Sequence, residues 1–503
     1  MDGSNISIVI PINPHAGDRL QILMNLYQSI ENIELILVSH SFRSSENLMN
    51  NVIWVIDEPW TEVYEAHAIG ARYLTRDIIL FLNVNQIISI ATIEKFLDPL
   101  LTGKADAALN DMDYEFHKKR CLIPSKIFPQ LTNHFINQPD LKLDTIMYLP
   151  YALTKQAIEL IGGAETLVNP VLTHVRLNQK GFKLTHDIPI RNIFNLHEHE
   201  MESAKEQKIM DDYLQAYAHC FNGLTHAGFF DGGRRLDLLS GLLSGNPTSM
   251  PVIKSNHYYQ PYARLSIIIP VRNEEKRIKD ILEECKRLNP LEMIVVVNQS
   301  SDRTASIAYE SGAAIIEYNE RLGLDTGRAV GAYYASGDIL LFIDGDFLIP
   351  ADDLKPFVEA VERGVDVALN DQNLYLNKPR PLHPVTLCKY ALNLACQRSD
   401  LGLGSTVAVP HAYSRKCIDV IGLESLANPA LSYLKSLLYG FVVENVHYVN
   451  VNKMNRFRPA SHYSNQKGKL APATSLIVGD HLKALTHLGQ VRRVEKGEKI
   501  DDA

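Results

Sequence analysis

The chain is written twice, and that restricts its fold more than any other feature. Ser7-Ile8-Val9-Ile10-Pro11 returns as Ser266-Ile267-Ile268-Ile269-Pro270, and the stretch from Asp77 returns from Asp338. Ala108-Leu109-Asn110-Asp111 returns as Ala368-Leu369-Asn370-Asp371, Ile161-Gly162 as Ile421-Gly422, and Asn169-Pro170 as Asn428-Pro429. The offset holds at about 260 residues, far beyond the period of a solenoid, so the pattern predicts two homologous domains in tandem. We expect a first domain over 1–235 and a second over 263–503. Between them, Gly241, Gly245, Pro247, Pro251 and Pro261 predict a linker over 236–262.

Each copy is long enough for its own core, and a hydrophobic fraction of 46% fits globular domains. The net charge of -8 excludes a whole-protein basic field for gripping nucleic acid or an anionic membrane and leaves room only for a local basic patch; no nucleic-acid partner is expected. No apolar run reaches the ~18 residues of a membrane span. Met1 to Asn5 lack the basic and apolar segments of a signal peptide, and a cytoplasmic location is expected. The six cysteines form no Cys-x-x-Cys pair, which predicts reduced thiols.

In the second copy, Leu265–Ile269, Met293–Val297, Ala313–Ile316, Ile339–Ile343 and Val365–Leu369 are short continuous apolar runs, the pattern of strands buried on both faces. Between them, Ile278, Ile281, Leu282 and Cys285, then Ala329, Ala332 and Tyr333, recur at helical spacing. The fold class is therefore α/β, with a mostly parallel, Rossmann-like sheet in each domain. Ligands of such sheets lie beyond the carboxyl ends of the strands. The loops after Ile269, Val297 and Ile343 are the places for chemistry.

The third of these loops is Asp344-Gly345-Asp346. Two carboxylates at a strand end suit Mg²⁺ or Mn²⁺, with water and phosphate completing the shell. Gly345 is read as leaving backbone room for a close ligand.

The ordered set resembles glycosyltransferase family 2, nucleotide-sugar enzymes of the GT-A fold. It comprises Pro270 with Asn273-Glu274, Asn298-x-Ser300-x-Asp302, Gly323-x-x-x-Gly327-Arg328 leading to Gly331, and Ser336-Gly337-Asp338 before Asp344-Gly345-Asp346. The resemblance, over residues 265 to about 450, implies two GT-A-like domains and a nucleoside diphosphate sugar donor. It implies Glu274 and Asp302 near base or ribose, Arg328 near the phosphates, and Asp344 and Asp346 on the metal. His447 is expected as a further metal ligand. The acceptor, whether glycan, small molecule or protein, is not identified, and a homo-oligomer remains open.

Two departures matter. Family members often begin the second loop with Asp, where this chain has Asn298, and they commonly supply a Glu-Asp pair after the Ile-Gly, where it has Asn428-Pro429. Neither Asn nor Pro accepts a proton at neutral pH. His411, facing the acceptor, and Asp400 are the expected catalytic substitutes; otherwise the reaction proceeds with retention and a leaving phosphate oxygen takes the proton. In the first copy the metal strand ends Asn83-Val84-Asn85, which predicts a catalytically silent domain. The expected function is metal-dependent glycosyl transfer by the second domain. The rival is a non-catalytic nucleotide-sugar-binding or scaffold protein.

Overall fold

The computed structural model describes residues 5–12, 17–27, 30, 33–39, 53–114, 122–191, 202–224, 228–255, 264–377, 381–454, 464 and 469–497. The chain divides into two compact units, one of Met1–Asn222 with Gly489–Ala503, the other Gly223–Leu488.

The first unit holds a seven-stranded sheet: β1 (Ile6–Ile12), β2 (Glu34–Ser39), β3 (Ile53–Asp57), β4 (Ile78–Phe81), β5 (Ala107–Leu109), β6 (Tyr151–Thr154) and β7 (Leu184–Thr185), in the order β3-β2-β1-β4-β6-β5-β7. The second holds β8 (Val252–Lys254), β9 (Leu265–Val271), β10 (Glu292–Asn298), β11 (Ala314–Tyr318), β12 (Ile339–Phe342), β13 (Val367–Asn370), β14 (His411–Ser414) and β15 (Val443–His447). Its order is β15-β13-β14-β12-β9-β10-β11-β8. Read from β11 to β15, this is the order of the first sheet, with β8 added at one edge. Both sheets are mostly parallel, and β6 and β14 are the antiparallel strands next to the central pair.

The second unit is layered because its strands alternate. Leu265, Ile267, Ile269 and Val271 of β9 pack with Ile278, Ile281 and Leu282 of one helix and Phe357 of another. Ile268 points the other way, toward the helix Thr326–Tyr334, where a Cβ on Gly331 would meet its Cγ2 at 2.4 Å. Each such buried aliphatic side chain contributes about 1.5–3 kcal/mol.

Of residues 236–262, expected as a linker, those described, 236–255, are instead built into the second unit. Leu236–Leu243 is a helix that buries Leu238, Leu239 and Leu242, and β8 pairs antiparallel with β11. Residues 223–235, expected in the first domain, also belong to the second unit. Among the described residues, no helix is long and apolar enough to cross a membrane, and the five described cysteines are free.

Candidate active site

The three expected loops meet at the carboxyl edge of β9, β10 and β12, and hydrogen bonds weld the first two together. Asn273, held at φ +54, receives Ser301 N on its Oδ1 at 2.8 Å and donates its own backbone N–H to Ser300 Oγ at 3.0 Å. Glu274 N donates to Thr304 Oγ1 at 2.8 Å and Glu275 N to Asp302 Oδ2 at 3.2 Å. Asp302 Oδ1 also receives Thr304 N at 3.0 Å. Burial works to raise the Asp302 pKa, but the donors from Thr304 and Glu275 outweigh it and hold the carboxyl below its usual range. Both oxygens of Asp302 are thus engaged in holding the loop and starting the helix Thr304–Glu310. The Glu274 side chain is buried beside it.

Asn298 is also a brace. Its Nδ2 donates to Gly323 O at 2.9 Å and its Oδ1 receives Leu322 N at 2.7 Å. An ionised Asp could make only the second of these bonds. The choice of amide here ties β10 to the loop that precedes Arg328.

Arg328 is buried with a 10% exposed side chain; it places Nη1 3.1 Å from Asp325 Oδ1 and Nη2 3.2 Å from Asp344 Oδ1. The Asp344 side chain is 38% exposed. Asp346, half-buried, receives Arg277 Nη1 on its backbone carbonyl. Gly345 does not leave space for a ligand. A Cβ there would meet Val271 Cγ1 at 2.2 Å, so the glycine lets the loop lie flat against the end of β9.

The residues present fit a hard divalent cation in part. Asp344 and Asp346 supply oxygen donors at one strand end, and Mg²⁺ ordinarily needs only one or two protein carboxylates beside water and phosphate. Among the described residues, no three His, Cys, Asp or Glu side chains gather into a ready cage. His447 does not join the two aspartates. It ends β15 on the same sheet edge but three strand positions from β12, roughly 14 Å at normal strand spacing. Its Nε2 lies 2.9 Å from Asp353 Oδ1.

His411, expected to face the acceptor, is a core ring. It is 3% exposed, stacks on Phe342 with centroids 5.2 Å apart, and sets Nδ1 2.9 Å from Ala408 O. Burial, and then the charge of Arg328, push its pKa down to about 3. It stays neutral, and so weak a base does not deprotonate a hydroxyl. Its counterpart Tyr151 stacks on Phe81 in the same way at 4.7 Å. Asp400 is exposed and held by Arg398, whose Nε and Nη2 lie at 3.0 and 2.9 Å and keep its pKa low. Asn428 caps the helix Pro429–Leu438 through Leu431 N and lines a cavity of about 610 Å³ together with Lys435 and Lys483.

One group went unread. Lys389 is buried on the helix Pro384–Ala395, donates to Gln372 Oε1 at 2.8 Å, and is pushed down by burial to about 8. A lysine at one helical position carries no mark in the sequence that it faces inward beside a glutamine.

In the first unit, Asn83 Oδ1 receives Asn85 N at 2.9 Å and Asn83 N donates to Gln86 Oε1 at 3.0 Å, so the amides close a local turn. Trp60 packs against the core of this unit. His40-Ser41-Phe42, Lys118 to Arg120, His197 to His199 and Arg456 to Arg458 lie outside the described residues.

Comparison with known proteins adds to this geometry. Residues 266–404 match the family model described as glycosyl transferase family 2. The chain is 36% identical over 118 residues to a 4,4'-diaponeurosporenoate glycosyltransferase of Staphylococcus haemolyticus, covering 22% of this chain and 32% of that protein. It is 27% identical over 178 residues to an undecaprenyl-phosphate 4-deoxy-4-formamido-L-arabinose transferase of Serratia proteamaculans, covering 32% and 52%. The chain thus spans a third to about half of the curated relatives it matches. Among solved structures, glucosyl-3-phosphoglycerate synthase of Mycobacterium tuberculosis is similar with a TM-score of 0.34 and 21% identity, over 45% of this chain and 80% of that one. The matched segment contains all three loops, Arg328 and both aspartates, and the chain carries a glycosyl transferase family 2 domain over residues 266–404.

Proposed function

We propose that the second unit transfers a glycosyl group from a nucleoside diphosphate sugar to an acceptor hydroxyl, with Mn²⁺ or Mg²⁺ at Asp344 and Asp346. The observation that carries this reading is the buried Arg328 delivered to Asp344 at a strand end within the matched segment. A cation there would neutralise charge on the departing diphosphate. Arg328 supplies a fixed positive charge at the same edge, and the welded first and second loops supply a rigid wall for the nucleoside. Glu274 and Asp302 belong to that wall.

The acceptor proton needs a destination. His411 is neutral in the core, Asn428 is an amide, and the Asp400 carboxylate is paired with Arg398. We read the proton as passing to the phosphate oxygen that leaves the sugar. The bond from the anomeric carbon to that oxygen breaks as the bond to the acceptor oxygen forms on the same face. The product then keeps the donor's anomeric configuration, which proton NMR reads directly; an inverted product would require a base other than these residues.

A panel of nucleoside diphosphate sugars, assayed for nucleoside diphosphate release with and without Mn²⁺, tests the function. Release from one donor, dependent on metal, is the expected result. A flat panel with no donor binding favours the scaffold reading, for which the missing Glu-Asp pair is the supporting feature.

A further inference from the structure

A line of alternating charge runs from Asp344 into the body of the second unit. Arg328 divides its two terminal nitrogens between Asp344 and Asp325. Asp325 divides its two oxygens between Arg328 and Arg234, whose Nη2 is 2.7 Å away. Arg234 closes the line with a two-pronged pair to Asp480, at 2.6 and 2.7 Å. Its outer end is 38% exposed at Asp344, its middle 10% at Arg328 and 15% at Asp325, and its inner end only 2% and 3% at Arg234 and Asp480.

The backbone is shaped to make this line. Asp325 sits at φ +63, in the left-handed region that Asp and Asn tolerate better than other side chains. Leu324 N donates to Gly232 O and Arg235 N to Leu322 O, both at 3.0 Å, so the segment bearing Arg234 runs beside the loop bearing Asp325. A Cβ on Gly323 would meet Gly233 O at 2.1 Å, which explains the glycine. Arg234 and Asp480 both lie outside the segment that matches the family model.

Asp344 faces a competition. A guanidinium and a divalent cation seek the same carboxylate, and a guanidinium with no other anion would take both oxygens as a fork. Asp325 is the other anion. We propose that Asp325, clamped by Arg234 and Asp480, is a positioning residue for the donor site: it holds Arg328 partly withdrawn, so that Asp344 keeps an oxygen for the cation. This inference rests on the metal reading under Proposed function and extends it to the residues behind the site.

The test is a titration of the full chain with Mn²⁺ at saturating UDP, free Mn²⁺ being read by electron paramagnetic resonance. Asn suits the left-handed backbone, so Asp325→Asn keeps the loop, and thermal melting verifies that each variant is folded. Asp325→Asn should raise the Mn²⁺ Kd about tenfold, the worth of one charge-assisted hydrogen bond. In an Arg328→Gln background the same change should have almost no effect, because the competing guanidinium is gone. A purely structural Asp325 would weaken binding equally in both backgrounds, and that result, or an unchanged Kd in the single variant, overturns the inference. A wild-type chain that binds no Mn²⁺ overturns the metal reading itself, and this inference with it.

Discussion

Asn370 spends its whole amide on the backbone: Nδ2 donates to Val409 O and Val449 O, and Oδ1 receives Val449 N. Asn110 makes the same three bonds in the first unit, to Leu149 O, Ile190 O and Ile190 N. Asp111 and Asp371 each receive the N–H two residues on, and buried Ser7 and Ser266 each donate to a buried glutamate, Glu34 and Glu292. Such residues are matched between copies because they satisfy buried backbone, and the match alone says nothing of chemistry. Lys389 differs. Its folded pKa of about 8 lies below the unfolded value of about 10.4, so the folded state binds fewer protons between these values and its penalty is relieved as pH rises through that window. Lys389→Met should therefore stabilise the chain relative to wild type at pH 7 by a few kcal/mol, less the lost bond to Gln372, and the advantage should shrink by pH 10. Urea unfolding of both proteins at several pH values measures it; an advantage constant with pH would contradict it. The sequence left His411 ambiguous because a histidine's surroundings are not written in its neighbours, although a Tyr at the matched position was a signal for a packed ring.

At the level of elements, glycines set how closely the layers approach. A Cβ on Gly331 would strike Ile268, and one on Gly70 would strike Val9 Cγ1 at 2.5 Å, so the same helix-to-sheet approach is made in both units. Gly345 permits the approach of the Asp344–Asp346 loop to β9. Gly345→Ala should cost about 1–3 kcal/mol by overpacking against Val271 and should weaken metal-dependent nucleotide binding as the carboxylates shift. Denaturant midpoints and a Mn²⁺ titration check the two effects, and a variant of unchanged stability would contradict the packing argument. The parallel strands were legible because burial on both faces leaves continuous Ile and Val runs. The helix Leu236–Leu243 and β8 were not, since Gly, Pro and Ser punctuate this stretch as they would a linker, and only pairing with β11 turns it into an edge strand. The link from Arg234 to Asp480 spans 246 residues, and no local pattern announces it.

Across the whole molecule, one strand order is used twice and the charged groups stand in one copy. Counting back three residues from Gly331 and Gly70 matches Arg328 with His67, which is buried, contacts Leu82 O and the Tyr151 hydroxyl, and is pushed by burial to about 4. Asp344 and Asp346 correspond to Asn83 and Asn85. Each of these three charged groups is thus matched by a neutral one. Restoring Asn83→Asp and Asn85→Asp in a chain that lacks Asp344 and Asp346 should fail to restore metal-dependent donor binding, because the neutral ring of His67 stands where Arg328 does. Calorimetry with UDP and Mn²⁺ reads this, and recovered binding would show that the first unit needs only its carboxylates. The central claim, that glycosyl transfer belongs to the second unit and runs through Asp344 and Asp346, is tested most directly by metal-dependent nucleoside diphosphate release. The measurement compares the full chain with its Asp344→Asn, Asp346→Asn variant on the donor the panel identifies. The account predicts that the variant, folded and melting as wild type does, loses release by about a hundredfold or more; release at the wild-type rate would contradict it.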